Sequence, residues 1–341
     1  MTTSVHKWNS ILVAASLATT LSFTPSELFA GPLAPPIGPV APTGRTVLEI
    51  EPRIPIGPET TPFSRDAVHR ISSPGNYYLT GDVQGISGKS GIEILASGVT
   101  LDLNGFTLRG MPGSEHGIVA AGAMSELRIM NGRATGWGMV GFNLIGANGA
   151  MIHQLEAIEN GGNGLIIGHS AIVSQCIVFE NGGIGITAQD GSQLIQCQSI
   201  GNGEAGFSVE KENTFTECVA RLNDGIGIET DNSCIVQSCL VVENGNDGIS
   251  ISRASVVRSN SVFNNGIGLP SSAGIRATDT QVRIENNQII DNNIGVATAP
   301  GGACLIVQNS VDNLIQDFLL QGTNTIGPLD DLSNPWANFS F

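Results

Sequence analysis

Short apolar runs, separated by glycine, asparagine and other polar residues, recur along the chain from Gly91 to about residue 310. "GIGI", "QLIQC" and "CLVV" are three to five residues long, with β-branched residues and alternating polarity. They read as short strands joined by tight turns. The interval is regular: in "VFENGGIGITAQDGSQLIQCQSIGNGEAGFSVEKENTFTEC", Asn181 is followed by Asn202 and Cys197 by Cys218, each 21 residues later. A unit of that length is too short for a helical-hairpin repeat. It fits one coil of three strands. Coils stacked at ~4.8 Å place each residue over its counterpart in parallel, in-register sheets, and ten rungs would run roughly 45–50 Å.

Three columns carry the register. One is a glycine before an apolar residue: Gly91, Gly117, Gly141, Gly164, Gly185, Gly206, Gly227, Gly248, Gly274 and Gly295. Another runs Asn104, Asn131, Leu155, Cys176, Cys197, Cys218, Cys239, Asn260, Asn287, Asn309. The third is Asn160, Asn181, Asn202, Asn223, Asn244 and Asn265. The expectation is that asparagine takes the left-handed corner conformation and hydrogen-bonds to its copies, while glycine fills the other positive-φ sites. Val173, Leu194, Phe215 and Val236 form an inward apolar column, and Val178, Ser199, Ala220 and Val241 a looser one.

The ends read differently. His6 and Lys7 precede the apolar run "ILVAASLATTLSF", and "ELFA" offers cleavage after Ala30, so residues 1–30 read as an export signal. The run is too short to span a bilayer, so no membrane insertion is expected. Residues 31–63 are proline-rich and read as an extended linker. Residues 64–90 are expected to cap the amino end, 91–310 to form the coil array, and 311–341 to cap the carboxyl end. Trp336 and Phe339 are expected to plug that end. The mature chain would be secreted, periplasmic or cell-surface.

Composition narrows the partners. Glycine is 44 of 341 without a three-residue period, which excludes collagen, and 41% apolar residues argue against disorder. A net charge of −15 argues against nucleic acid and anionic membranes, and against an acidic polysaccharide unless calcium bridges the two.

With segments such as "NGNDGISIS" and "VRIENN", residues 91–310 resemble the right-handed parallel β-helix proteins, the pectate-lyase-like repeat architecture. The resemblance implies an all-β fold of a single right-handed parallel β-helix of about ten rungs. "SPGNYYLTGDVQGISGKSGIEILASGVTLDLNGFTLRG" and "NPWANFSF" further resemble a group of secreted bacterial proteins of planctomycete type, which brings no catalytic residues. The motifs of the polygalacturonases and the Asp-Pro-His of the mannuronan epimerases are absent, and the pectate lyase pattern is not closely matched.

Candidate chemistry is sparse. Cys176, Cys197, Cys218 and Cys239 are expected to stack as an inward cysteine ladder of buried thiols, with Cys176–Cys197 and Cys218–Cys239 the alternative pairings in an exported protein. On "GIETD", Ile228 and Thr230 would point inward, leaving Glu229 and Asp231 outward, with Glu210 one rung from Asp231. Glu210, Glu229 and Asp231 are therefore candidate catalytic carboxylates or a calcium site, since like charges at rung spacing raise a pKa or recruit a cation. Arg276 falls in the column of Glu229 and completes the candidate catalytic set. Arg221 and Arg276 are the arginines placed to meet an anionic sugar, and Trp137 with Phe142 a possible aromatic platform. The column Asp190, Lys211, Asn232, Arg253, Asp279 reads as ordinary surface charge compensation. No two histidines sit at rung spacing, and no phosphate-binding loop is present. The leading expectation is a carbohydrate-related role, binding or processing a polysaccharide. The alternative is a non-catalytic structural or adhesive rod. Whether the protein is an enzyme is left open.

Overall fold

The computed structural model describes residues 53–120 and 122–341; the expected export signal, residues 1–30, and residues 31–52 of the expected linker lie outside the described residues. Every element among the described residues is a β-strand. They stack as a parallel β-solenoid in which one ladder, from Ala67–Ile71 to Gln316–Leu319, has twelve strands. The sequence suggested about ten rungs; the additional two are the first and last strands of this ladder.

One coil shows how the repeat is built. Leu165–Ile167 is followed by a turn at Ser170, Ile172–Ser174 by a turn at Gln175, and Ile177–Phe179 by a turn at Glu180. Each strand pairs in parallel with the strand 21 residues on: Leu165 with Ile186, Ile172 with Gln193, Ile177 with Gln198. Three strands per coil, in register, is what the period implied. Central residues of the strands after the first point inward, so Val173, Leu194, Phe215 and Val236 are fully buried in one file. Phe207 and Phe215 meet edge to face at 5.4 Å inside it.

The corners correct the expectation. In most rungs the left-handed residue is the one before the ladder residue: Glu180 before Asn181, Leu222 before Asn223, Gln175 before Cys176, all with φ near +50°. Only in the first coils do Asn104 and Asn131 themselves have positive φ. The physical reason is direction. The left-handed residue turns the chain and projects outward, leaving the next side chain aimed into the corner, where it satisfies the backbone. Asn181 Nδ2 donates to Asn202 Oδ1 at 2.9 Å, and the same oxygen accepts the Asn181 backbone N–H at 3.1 Å. This asparagine ladder continues through Asn223, Asn244, Asn265, Asn292 and Asn313. From Asn181 to Asn292 these amides are buried, and each pairs groups that would otherwise be costly to leave unsatisfied.

The glycine column is also not a set of positive-φ sites. It is demanded by crowding. A Cβ on Gly164 would lie 2.8 Å from the Gly185 carbonyl oxygen, and one on Gly227 would lie 2.6 Å from both the Gly248 oxygen and Val241 Cγ1.

The cysteines pile in a single file. Gln198 N donates to Cys176 O, Val219 N to Cys197 O and Leu240 N to Cys218 O, so Cys176, Cys197, Cys218 and Cys239 occupy equivalent corners. All are buried free thiols. Cys239 N donates to Asn260 Oδ1 at 2.8 Å, where the file passes into the asparagines Asn260, Asn287, Asn309 and Asn338. Thiol–thiol contact with Cys197 and burial both hold the Cys176 thiol well above its ordinary pKa. Buried in the core, these thiols pack as small apolar filler. A third corner file holds Ser192, Asn213, Cys234 and Ser255: Ser192, Asn213 and Ser255 accept backbone N–H groups through their side chains, and the Cys234 thiol donates to Glu210 O.

Near the amino end, His116 makes the stack pH-sensitive. Its Nδ1 accepts the Val140 N–H at 3.3 Å, which requires the neutral ring. Burial lowers its pKa, against the opposing charge of Glu115. A histidine depressed in the fold stabilises fully above its unfolded pKa of ~6.5, and that contribution is lost as pH falls through the folded value. The melting temperature of the wild type is therefore expected to drop by a few degrees more between pH 7.5 and pH 5 than that of His116→Gln, followed by circular dichroism. Equal drops would refute the assignment.

Candidate functional site

The outward face of the twelve-strand ladder carries the column Asn143, Ile166, Thr187, Ser208, Glu229, Ser250 and Arg276, each in register with the next. The alternation inferred for "GIETD" holds: Ile228 and Thr230 are buried, whereas Glu229 and Asp231 are exposed. Glu229 Oε2 accepts a hydrogen bond from Ser208 Oγ at 3.0 Å, one rung below.

Two grooves flank this column. The first, about 300 Å³, has a floor of Ile145, Ile166, Ile167 and Ala188 and a polar rim of Gln189, Glu210 and Asp231. Glu210 N donates to Ala188 O and Asp231 N to Val209 O, so the two acids hold equivalent positions on neighbouring rungs, ~4.8 Å apart along the stack. Asp231 Oδ1 also accepts the Asn232 N–H at 2.8 Å, which fixes that carboxylate at the turn. The second groove, about 380 Å³, is lined by Glu204, Asp224, Glu229 and Asn246. Glu229 thus lines one flank while Glu210 and Asp231 line the other. Among the described residues, no group of three or more histidine, cysteine or acidic side chains is arranged to hold a metal ion.

Arg276 stands in the Glu229 column as the repeat implied, but its guanidinium is engaged. Nε and Nη2 reach Asp247 Oδ2 and Oδ1 at 2.6 and 2.9 Å, and Nη2 also donates to the Ser271 carbonyl. Asp247 is nearly buried and accepts the Ala273 N–H as well. This bidentate pair clamps the inserted loop "GIGLPSSAG" against the coil. Sequence reasoning missed Asp247. The available signal was the one acid among the residues directly before the repeated glycines, flanked on neighbouring rungs by Ile184, Ala205, Ile226, Ala273 and Ile294.

Two expectations fail. Arg221 is on a different sheet from Arg276, in register with Ile200 and Val242, and pairs with Glu243 at 3.1 Å. Trp137 and Phe142 form no platform: both are buried, and Trp137 Nε1 donates to Leu108 O at 3.0 Å. Their bulk fills the core beneath the first coils, where the burial of aromatic area outweighs exposure to a ligand. The Asp190–Lys211 contact, 3.8 Å between Nζ and Oδ2, is the surface compensation anticipated for its column.

The family described as right handed beta helix region matches residues 168–317. No curated protein matches the sequence. Among solved structures, the A-module of the Azotobacter vinelandii mannuronan C-5 epimerase AlgE6 superposes with a TM-score of 0.65 at 14% identity, over 85% of this chain and 90% of that one. The A-module of the epimerase AlgE4 from the same organism gives 0.53 at 14% identity, over 85% and 88%. The tailspike protein gp49 of Acinetobacter baumannii bacteriophage Fri1, a capsular polysaccharide depolymerase, gives 0.50 at 11% identity, over 76% and 59%. At these identities the likeness is one of fold, and together with the family match it makes the solenoid a right-handed parallel β-helix.

Proposed function

We propose that this protein is exported and binds or processes a polysaccharide along the outward face of its twelve-strand ladder. The observation that carries the reading is the groove holding Glu210 and Asp231 on adjacent rungs over an apolar floor, beside the exposed Glu229. Two carboxylates at rung spacing can divide the roles of acid and base, or share a calcium ion with a sugar hydroxyl. Support comes from the polysaccharide-acting neighbours of the same fold, as analogy. Residues 1–30 would direct export and residues 31–52 would tether the solenoid, in keeping with the resemblance to secreted bacterial β-helix proteins; the expected linker ends earlier than residue 63, since Ile54–Pro55 pairs with Tyr77–Tyr78 and Ile56 is buried in the core. Arg276, held by Asp247, would position Glu229's column rather than act as a free base. That same ion pair favours the second reading, a non-catalytic adhesive rod.

A glycan array with and without calcium, followed by assay of any bound polymer for cleavage, tests the proposal. Replacing Glu210, Glu229 and Asp231 together by alanine is expected to lower binding or turnover at least tenfold. Absence of any glycan binding, or an unaffected triple variant, would overturn it.

A further inference from the structure

A groove of about 660 Å³ lies away from these acids, near the carboxyl end, and shares no residue with them. We propose that it is a separate binding site for a short neutral glycan segment of two or three pyranose units.

Its floor is a row of corner residues. Ser259, Asn286 and Gln308 are the left-handed residues of three successive rungs, each with φ between +54° and +60°, so their side chains project outward at ~4.8 Å intervals. Its wall is the returning carboxyl-terminal segment, pinned where Gln308 Nε2 donates to Pro335 O at 2.8 Å, while within the floor Asn286 Nδ2 donates to Ser259 Oγ at 3.1 Å. These bonds fix the amides but use only their N–H groups. Among the described residues, Asn286 Oδ1 and Gln308 Oε1 have no protein partner, and neither has Asn334 Nδ2, whose oxygen accepts the Trp336 N–H. Two acceptors on neighbouring rungs, with a donor on the carboxyl-terminal wall, suit sugar hydroxyls, each of which donates and accepts.

Charge selects the class. Arg258 and Glu285 line the groove and are in register on neighbouring rungs. Arg258 donates through Nε and Nη2 to the neutral Gln237 Oε1, and Glu285 accepts from Arg283. Opposite charges side by side leave little net field to select an anionic or cationic ligand. Phe339 lines the carboxyl-terminal side, and Trp336, adjacent in sequence to two lining residues, is half exposed. Ring faces beside polar rows are the usual composition of a sugar-binding groove.

Trp336 supplies the readout, with Trp336→Phe as the blank that subtracts the emission of Trp8 and the buried Trp137. The full chain is titrated with cellotetraose and chitotetraose, and with tetragalacturonate as the anionic control, by fluorescence and calorimetry. A neutral tetrasaccharide is expected to perturb the emission saturably, with tetragalacturonate at least tenfold weaker. Asn286→Gly keeps the left-handed corner but removes the amide. Ser310→Tyr fills the groove from an outward strand position. Each is expected to weaken binding at least tenfold with an unchanged melting temperature. The proposal is overturned if neither neutral oligosaccharide binds at millimolar concentration, if tetragalacturonate binds best, or if well-folded Asn286→Gly and Ser310→Tyr bind as the wild type does.

Discussion

Replacing Gly185 by alanine is expected to destabilise the solenoid by about 3 kcal/mol, a large effect for one methyl group. The added Cβ would stand 2.0 Å from Ser199 Oγ and 2.5 Å from the Gly206 carbonyl oxygen. Ser199 cannot swing away freely, because its hydroxyl donates to Gly206 O at 2.7 Å and accepts from Asn202 Nδ2 at 2.9 Å. The carbonyl cannot retreat either, since it accepts the Ile186 N–H at 3.0 Å and so belongs to the ladder that sets the rung spacing. Gly149 is the control. It has positive φ, but nothing lies within 4 Å of its added Cβ, so alanine there should cost only about 1 kcal/mol of backbone strain. Urea denaturation midpoints compare the two. If Gly149→Ala proves the more damaging, crowding is not what the repeated glycine answers.

Asn202→Ala should cost a similar amount, about 3 kcal/mol, through stranded hydrogen-bonding groups. The Asn181 backbone N–H loses its acceptor, Asn181 Nδ2 keeps only its bond to Ala157 O, and the Asn223 oxygen loses one of its two donors. Ser199 Oγ loses the amide that donates to it. All four groups are buried, and the coils above and below are too closely stacked for water to replace the side chain. The local signature is faster hydrogen exchange at the Asn181 amide, alongside the loss in denaturation free energy. A change under about 0.5 kcal/mol would mean that the ladder accompanies the fold without supporting it.

These two positions also show how far the sequence could be read. The 21-residue interval exposed both columns, because stacking repeats every local requirement once per coil and so repeats the residue that meets it. The reasons were less legible. Left-handed corners fall on residues as varied as Glu180, Gly201, Leu222 and Glu243. An exposed corner with a free side chain constrains the backbone angle and little else, so it leaves no residue signature. The neighbouring asparagine, with buried partners on both sides, is constrained in its chemistry and is therefore the one that repeats.

The candidate site divides in the same way. That Glu210, Glu229 and Asp231 face outward followed from strand alternation. That Glu229 lines one groove and the other two acids line another did not, because groove walls are set by side-chain directions and by neighbouring coils. Asp247 beneath Arg276 and the amide-lined groove under the carboxyl-terminal segment were equally hidden. Both join segments separated by an inserted loop or a chain reversal, where the period is interrupted and no column can be followed.

What the sequence determined by itself is the solenoid: its all-β character, its three strands per coil, its register, and the single files of cysteine and asparagine, since each is a translation-invariant demand of stacking. What the tertiary structure alone decided is where that regularity breaks to make a surface. Clamped insertions, a returning chain end and the turn of each outward side chain depend on contacts made once, and a contact made once leaves no repeat to read.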